Sequence, residues 1–78
     1  MTDQIKEAYI NIERAMYEFN VLLDRQVTTM RESEASDPIK LDRMSQGAKA
    51  MRDSTAIYLS YAKFVAYGMP DSEEMIEE

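Results

Sequence analysis

Residues 32–40 read ESEASDPIK, Glu32 to Lys40, and they interrupt a chain that has no other proline or glycine before Gly47. Ser33, Ser36 and Asp37 favour turns and caps, because their short polar side chains bond to the neighbouring backbone. Pro38 suits the first position of a new helix, where its missing N–H has no partner to lose. The stretch therefore predicts one helix ending near residue 33, a turn over 34–37, and a second helix that starts at Pro38 with Asp37 as its N-cap.

Upstream of the turn, apolar residues fall at Ile5, Tyr9, Ile12, Met16, Phe19, Leu23 and Met30, with Gln26 in the one gap. The spacing alternates four and three, which is the heptad of a helix laying one stripe against a partner. Ala8, Ala15 and Leu22 widen the stripe on one flank. Thr2 or Asp3 can cap the start, and Asp3 and Glu7 complement the positive end of the helix dipole. Downstream, the spacing resumes through Leu41, Met44, Ala48, Met51, Thr55, Tyr58, Ala62, Val65 and Met69, and Gly68 with Pro70 supplies the stop. The helices are expected over about 3–33 and 38–67. Gly47 lies inside the second at a cost of about 1 kcal/mol relative to alanine. The small-residue run SQGAKA around it offers the alternative of a break into three helices.

Two long helices joined by a short turn fold back as an antiparallel hairpin. The stripes align when paired residue numbers add to 74: Ile5 with Met69, Tyr9 with Val65, Ile12 with Ala62, Met16 with Tyr58, Phe19 with Thr55, Leu23 with Met51, Gln26 with Ala48, and Met30 with Met44. Large side chains then often meet small ones, as interdigitating layers require. Gln26 and Thr55 are the polar residues inside this seam, and Thr55 is expected to bond back to its own helix. Residues 1–69 form the hairpin domain, and 70–78 an acidic flexible tail.

The hairpin leaves a surplus. In IYLSYAKFVAY, Ile57 to Tyr67, a ring occurs at every third position: Tyr58, Tyr61, Phe64 and Tyr67. Three residues advance about 300° around a helix, so the rings spread over half its circumference, wider than one seam. Ile57, Tyr61, Phe64 and Tyr67 are left to the sides, and Ile10, Tyr17 and Val21 form a matching second stripe on the first helix. Exposed aromatic patches mark contact surfaces, and a lone helix pair buries too little surface to be stable unaided. The expected architecture is all-α, a helical hairpin that self-associates as a dimer or higher homo-oligomer into a helical bundle. Ile10, Tyr17, Val21, Ile57, Tyr61, Phe64 and Tyr67 are its partner-binding residues.

Composition narrows the function. Apolar content of 45% suits a folded domain, and 78 residues allow only one. The chain has neither cysteine nor histidine, so thiolate metal sites, disulfides and the commonest general base are absent. Asp24, Asp42 and Asp53 are paired with no nucleophile or oxyanion donor, and there is no Glu-x-x-His motif and no glycine-rich phosphate loop. A non-enzyme without cofactor or metal is expected. Of the net charge of −6, the tail supplies five units through Asp71, Glu73, Glu74, Glu77 and Glu78. The nearly neutral body offers no field for a phosphate backbone, so nucleic acid is not an expected partner. No apolar stretch is long enough to span a membrane, and a cytoplasmic location is expected.

The opening MTDQIKEAY, the mid-helix LLDRQ and the ending MPDSEEMIEE, in a short acidic chain, resemble the small all-helical accessory proteins of tailed phages. Within that set the chain looks most like the cytoplasmic antiholin type, which regulates lysis by binding another phage protein. Its layout is also similar to the phage helical-hairpin proteins that sequester cyclic nucleotides. The likeness is one of layout and transfers no functional residue. It implies a protein target, for an inhibitor, lysis regulator or assembly factor. The alternative is an oligomeric nucleotide sponge, in which tyrosines stack on a base while Arg14, Arg25, Lys49, Arg52 and Lys63 neutralise its phosphate.

Overall fold

The computed structural model describes residues 3–69. Two helices account for nearly all of it: α1, Asp3–Glu32, and α2, Pro38–Ala66, folded back on each other as an all-α antiparallel hairpin. Thr2 as a cap and the acidic tail from Pro70 onward lie outside the described residues.

Local chemistry sets the ends of the helices. Asp37 is extended (φ −68°, ψ 122°), and its carboxylate accepts the Ile39 N–H at 2.9 Å, as an N-cap does. Its carbonyl accepts the Leu41 N–H at 2.9 Å, closing the first turn behind Pro38. In the reversal itself, Ser33 N–H reaches the Met30 carbonyl and Ser36 N–H the Ser33 carbonyl. At the far end, the Met69 N–H bonds to the Phe64 carbonyl and the Gly68 N–H to the Val65 carbonyl. This is a Schellman stop, and it needs Gly68 at φ 86°, where a side chain would clash. Gly47 causes no break: α2 runs through it, and a Cβ built there meets nothing within 4 Å.

The register is close to the expected one, but both helices are rolled. Paired residue numbers add to 75 for Asn20 with Thr55, and to 76 for Asp24 with Arg52, Arg31 with Ser45 and Tyr9 with Tyr67. The seam keeps the line Tyr9, Met16, Leu23 and Met30 on α1 and the line Leu41, Ala48, Thr55 and Ala62 on α2. Each helix then fills its second line from four residues further along, not three. Lys6, Glu13, Asn20 and Val27 replace Ile5, Ile12, Phe19 and Gln26 as the inner neighbours, while on α2 Leu59 replaces Tyr58, Ala66 is buried beside a half-buried Val65, and Met44 stays half-buried beside Ser45. Ile5, Ile12, Phe19, Met51, Tyr58 and Met69, expected inside, are exposed.

A physical reason is visible in the contacts. Each helix carries apolar residues on three adjacent lines, and one partner helix covers only two. The observed roll adds the small Ala66 to Ala48 and Ala62 in the seam, where backbones can approach, and it aligns Asn20 with Thr55 and Arg52 with Asp24. Thr55 therefore accepts a 3.0 Å hydrogen bond from Asn20 Nδ2 across the seam, correcting the expectation that it serves only its own helix. Asn20 Oδ1 is shut off from solvent and meets no donor among the described residues.

The resulting rod measures 51 × 20 × 15 Å and is one helix thick. Only Tyr9, Val27, Met30, Ala48 and Ala66 are buried, and among the described residues no side chain is completely enclosed.

Candidate interaction surface

An antiparallel helix pair has an approximate two-fold axis perpendicular to its plane. Equal offsets from the seam therefore open on the same broad face of both helices. The lines three residues beyond the anchors, Ile12, Phe19 and Gln26 on α1 and Met51, Tyr58 and Val65 on α2, share one face. The next lines outward, Ala8, Ala15 and Leu22, and Gly47, Ser54 and Tyr61, extend it. None of these positions is charged, in a chain that is 31% charged. Seven large apolar side chains stand here with between 36% and 67% of their surface exposed: Ile5, Ile12, Phe19, Leu22, Met51, Tyr58 and Tyr61. Tyr61 packs its ring 6.2 Å from that of Phe64, tilted by 50°.

The opposite face is polar and tied together by charge. Arg52 pairs with Asp24 across the helices, and Lys49 with Asp53 along α2 at 2.9 Å. The hydrogen bond and charge of Lys49 hold the Asp53 carboxyl below its ordinary range. Arg31 donates to Ser45 Oγ at 3.2 Å. Between them lies a cleft of about 260 Å³ lined by Asp24, Val27, Thr28, Arg31, Ser45, Ala48 and Arg52. It holds two guanidinium groups but no aromatic ring, and both guanidinium groups already bond to oxygen within the chain.

The seven residues read from the sequence as partner-binding do not form one patch. Tyr61 belongs to the uncharged face. Ile10, Tyr17 and Val21 lie on the polar side of α1, where Ile10 and Tyr17 continue the line of Asp24 and Arg31. Ile57 follows the outer edge of α2, farthest from the seam, while Phe64 is half-buried with its ring against Tyr61. Tyr67 is used within the chain: its ring meets Tyr9 edge-on at 6.3 Å, and the Lys6 ammonium sits 5.3 Å from its centre. Tyr17 and Ile57 are the most open of the set, at 71% and 74%. The signal that sequence reading missed was the scarcity of charge along the lines of Ala8 and Gly47, interrupted by Lys40 at the start of α2, which marks a face more sharply than the aromatic residues do.

Among the described residues, no group of three or more acidic side chains is placed to hold a metal ion, and no helix is long and apolar enough to cross a membrane. No protein-family model, curated protein or solved structure matches the chain.

Proposed function

We propose that this chain is a non-enzymatic interaction protein that self-associates and acts by occupying the surface of a protein target, in the manner of an inhibitor, lysis regulator or assembly factor. One observation carries the reading: among the described residues, thirteen large apolar side chains are exposed against five hydrophobic residues buried. Covering apolar surface that the fold leaves in water would stabilise it further. The layout shared with small phage accessory proteins points the same way.

The nucleotide-sponge reading has less support. It requires open rings and cations in one place: the cleft offers Arg31 and Arg52 without a ring to stack on a base, and where Lys6 meets Tyr67 the ring is already packed against Tyr9.

The test is site-specific photo-cross-linking in the native host, with the probe at Tyr17 or Ile57. Both should give an adduct with a different protein, and a probe at Glu18 on the back of α1 should give none. If Tyr17 and Ile57 yield no adduct with another protein, the chain has no target there and the reading fails.

A further inference from the structure

We infer that the uncharged face is the seat of a second copy of this chain, so that two hairpins close into a four-helix bundle; this rests on the reading of the chain as an interaction protein and names one of its partners. Four features converge on a copy as the occupant.

The face repeats the pattern of a seam. Ile5, Ala8, Ile12, Ala15, Phe19 and Leu22 follow the alternation of three and four residues that a packed helix requires, and so do Met51, Ser54, Tyr58, Tyr61 and Val65. Large side chains alternate with Ala8, Ala15, Gly47 and Ser54, which supply the holes for another chain's knobs.

Charge suits a copy as well. A surface that meets itself brings like charges together wherever it carries any, and this one carries none from Gly47 to Val65 on α2 or along the matching lines of α1, its charges being Lys40 and Arg43 at the turn end. The other charged residues of the two helices lie on the opposite face and along the outer edges, which such a dimer leaves in water.

The area is sufficient. Seven side chains between 36% and 67% exposed, at about 200 Å² for a whole large side chain, present about 700 Å² of apolar surface. A standard stable interface buries about 800 Å² per partner, a total that the alanines and backbone between these residues complete.

The dimensions also match. The helices are 30 and 29 residues long, and the rod is 20 Å wide, so a second hairpin covers the face from edge to edge. The layer becomes two helices thick, and Phe19, Tyr58 and Leu22 become core.

The full chain, purified alone, is measured by sedimentation and light scattering, with helicity followed by circular dichroism. The parent should have twice the chain mass. Ala15→Glu, at an exposed helical position, should fall to the single-chain mass, while Tyr17→Glu on the other face should keep the parent mass. A second measurement does not depend on the charged variant folding. The chain has no cysteine, so Ala15→Cys and Tyr17→Cys each carry one thiol. Maleimide should label the first many-fold more slowly than the second. A parent that stays monomeric at every concentration, an Ala15→Glu variant that keeps the dimer mass, or equal labelling rates would overturn the second copy. The target is decided separately, by the Tyr17 and Ile57 cross-links: foreign adducts with a monomeric parent remove the dimer alone, and a dimer without foreign adducts removes the target alone.

Discussion

Replacing Asn20 by leucine should make the protein more stable. The Asn20 amide donates one 3.0 Å bond to Thr55, and its Oδ1 is sealed from water without a donor. The bond contributes about 1 kcal/mol net, whereas an unsatisfied buried acceptor costs about 1–3 kcal/mol. Leucine has the same number of side-chain heavy atoms, branched at the same carbon, though it is bulkier, and it removes both. Burying it in part adds about 1 kcal/mol, since a fully buried leucine is worth about 1.5–3 kcal/mol. Thr55 is not orphaned by the change, because its hydroxyl can turn to a carbonyl one helical turn back. The expected net effect is a gain of about 1–3 kcal/mol, which for a domain of this size raises Tm by roughly 5–15 °C. Thr55→Val should act oppositely, costing about 1–3 kcal/mol by leaving Nδ2 without an acceptor as well. The double variant should resemble Asn20→Leu. Urea titrations of the four proteins, followed by circular dichroism, give the cycle. All must be run at one protein concentration, because association makes the midpoint depend on it. If Asn20→Leu is less stable than the parent and the double variant less stable still, the amide is fully satisfied and the reasoning is wrong.

In the separate hairpin Gly47→Ala should raise stability by about 0.5–1 kcal/mol, the helix cost of glycine, because an added Cβ meets nothing within 4 Å; in the bundle, where Gly47 forms a hole for a second copy, the gain should shrink or reverse. A clear loss in a thermal melt would place another backbone against that position. Asp53 has a depressed carboxyl pKa, so its pairing with Lys49 stabilises above the ordinary aspartate range and is lost as pH falls through the lowered value. Asp53→Asn should lie slightly below the parent in midpoint at neutral pH and converge with it in acid. A gap that persists in acid would assign the effect to something other than charge. Melts with a panel of mono- and cyclic nucleotides should not move, since a ligand at a hundred times its Kd would add about 2.7 kcal/mol. A reproducible upward shift with any one of them would restore the nucleotide reading.

The hairpin was legible where local chemistry decides. Asp37 before Pro38 and Gly68 after the last apolar residue act through bonds within a few residues, so their sequence meaning and their structure coincide. The seam was only half legible. Tyr9, Met16, Leu23 and Met30 lie at the middle of a stripe three lines wide, and any roll keeps them inside. Whether Phe19 or Asn20 joins them depends on what α2 presents opposite, here Thr55, and no count of apolar residues along one helix holds that information. The same blindness scattered the candidate site. The ring spacing singled out Tyr61 correctly as surplus but grouped it with Tyr17, which faces the other way, and with Tyr67, which folds over Tyr9.

The single reversal between Glu32 and Pro38 gives the rod a head and a foot. The turn forms one extremity, and the start of α1 and the end of α2 share the other, about 45 Å away at 1.5 Å per residue. A spin label on Ala35→Cys therefore reports polarity in any assembly the rod joins. Neighbours lying head beside head bring their labels together, neighbours lying head beside foot hold them a rod's length apart, and one dipolar distance tells which arrangement the molecule has chosen.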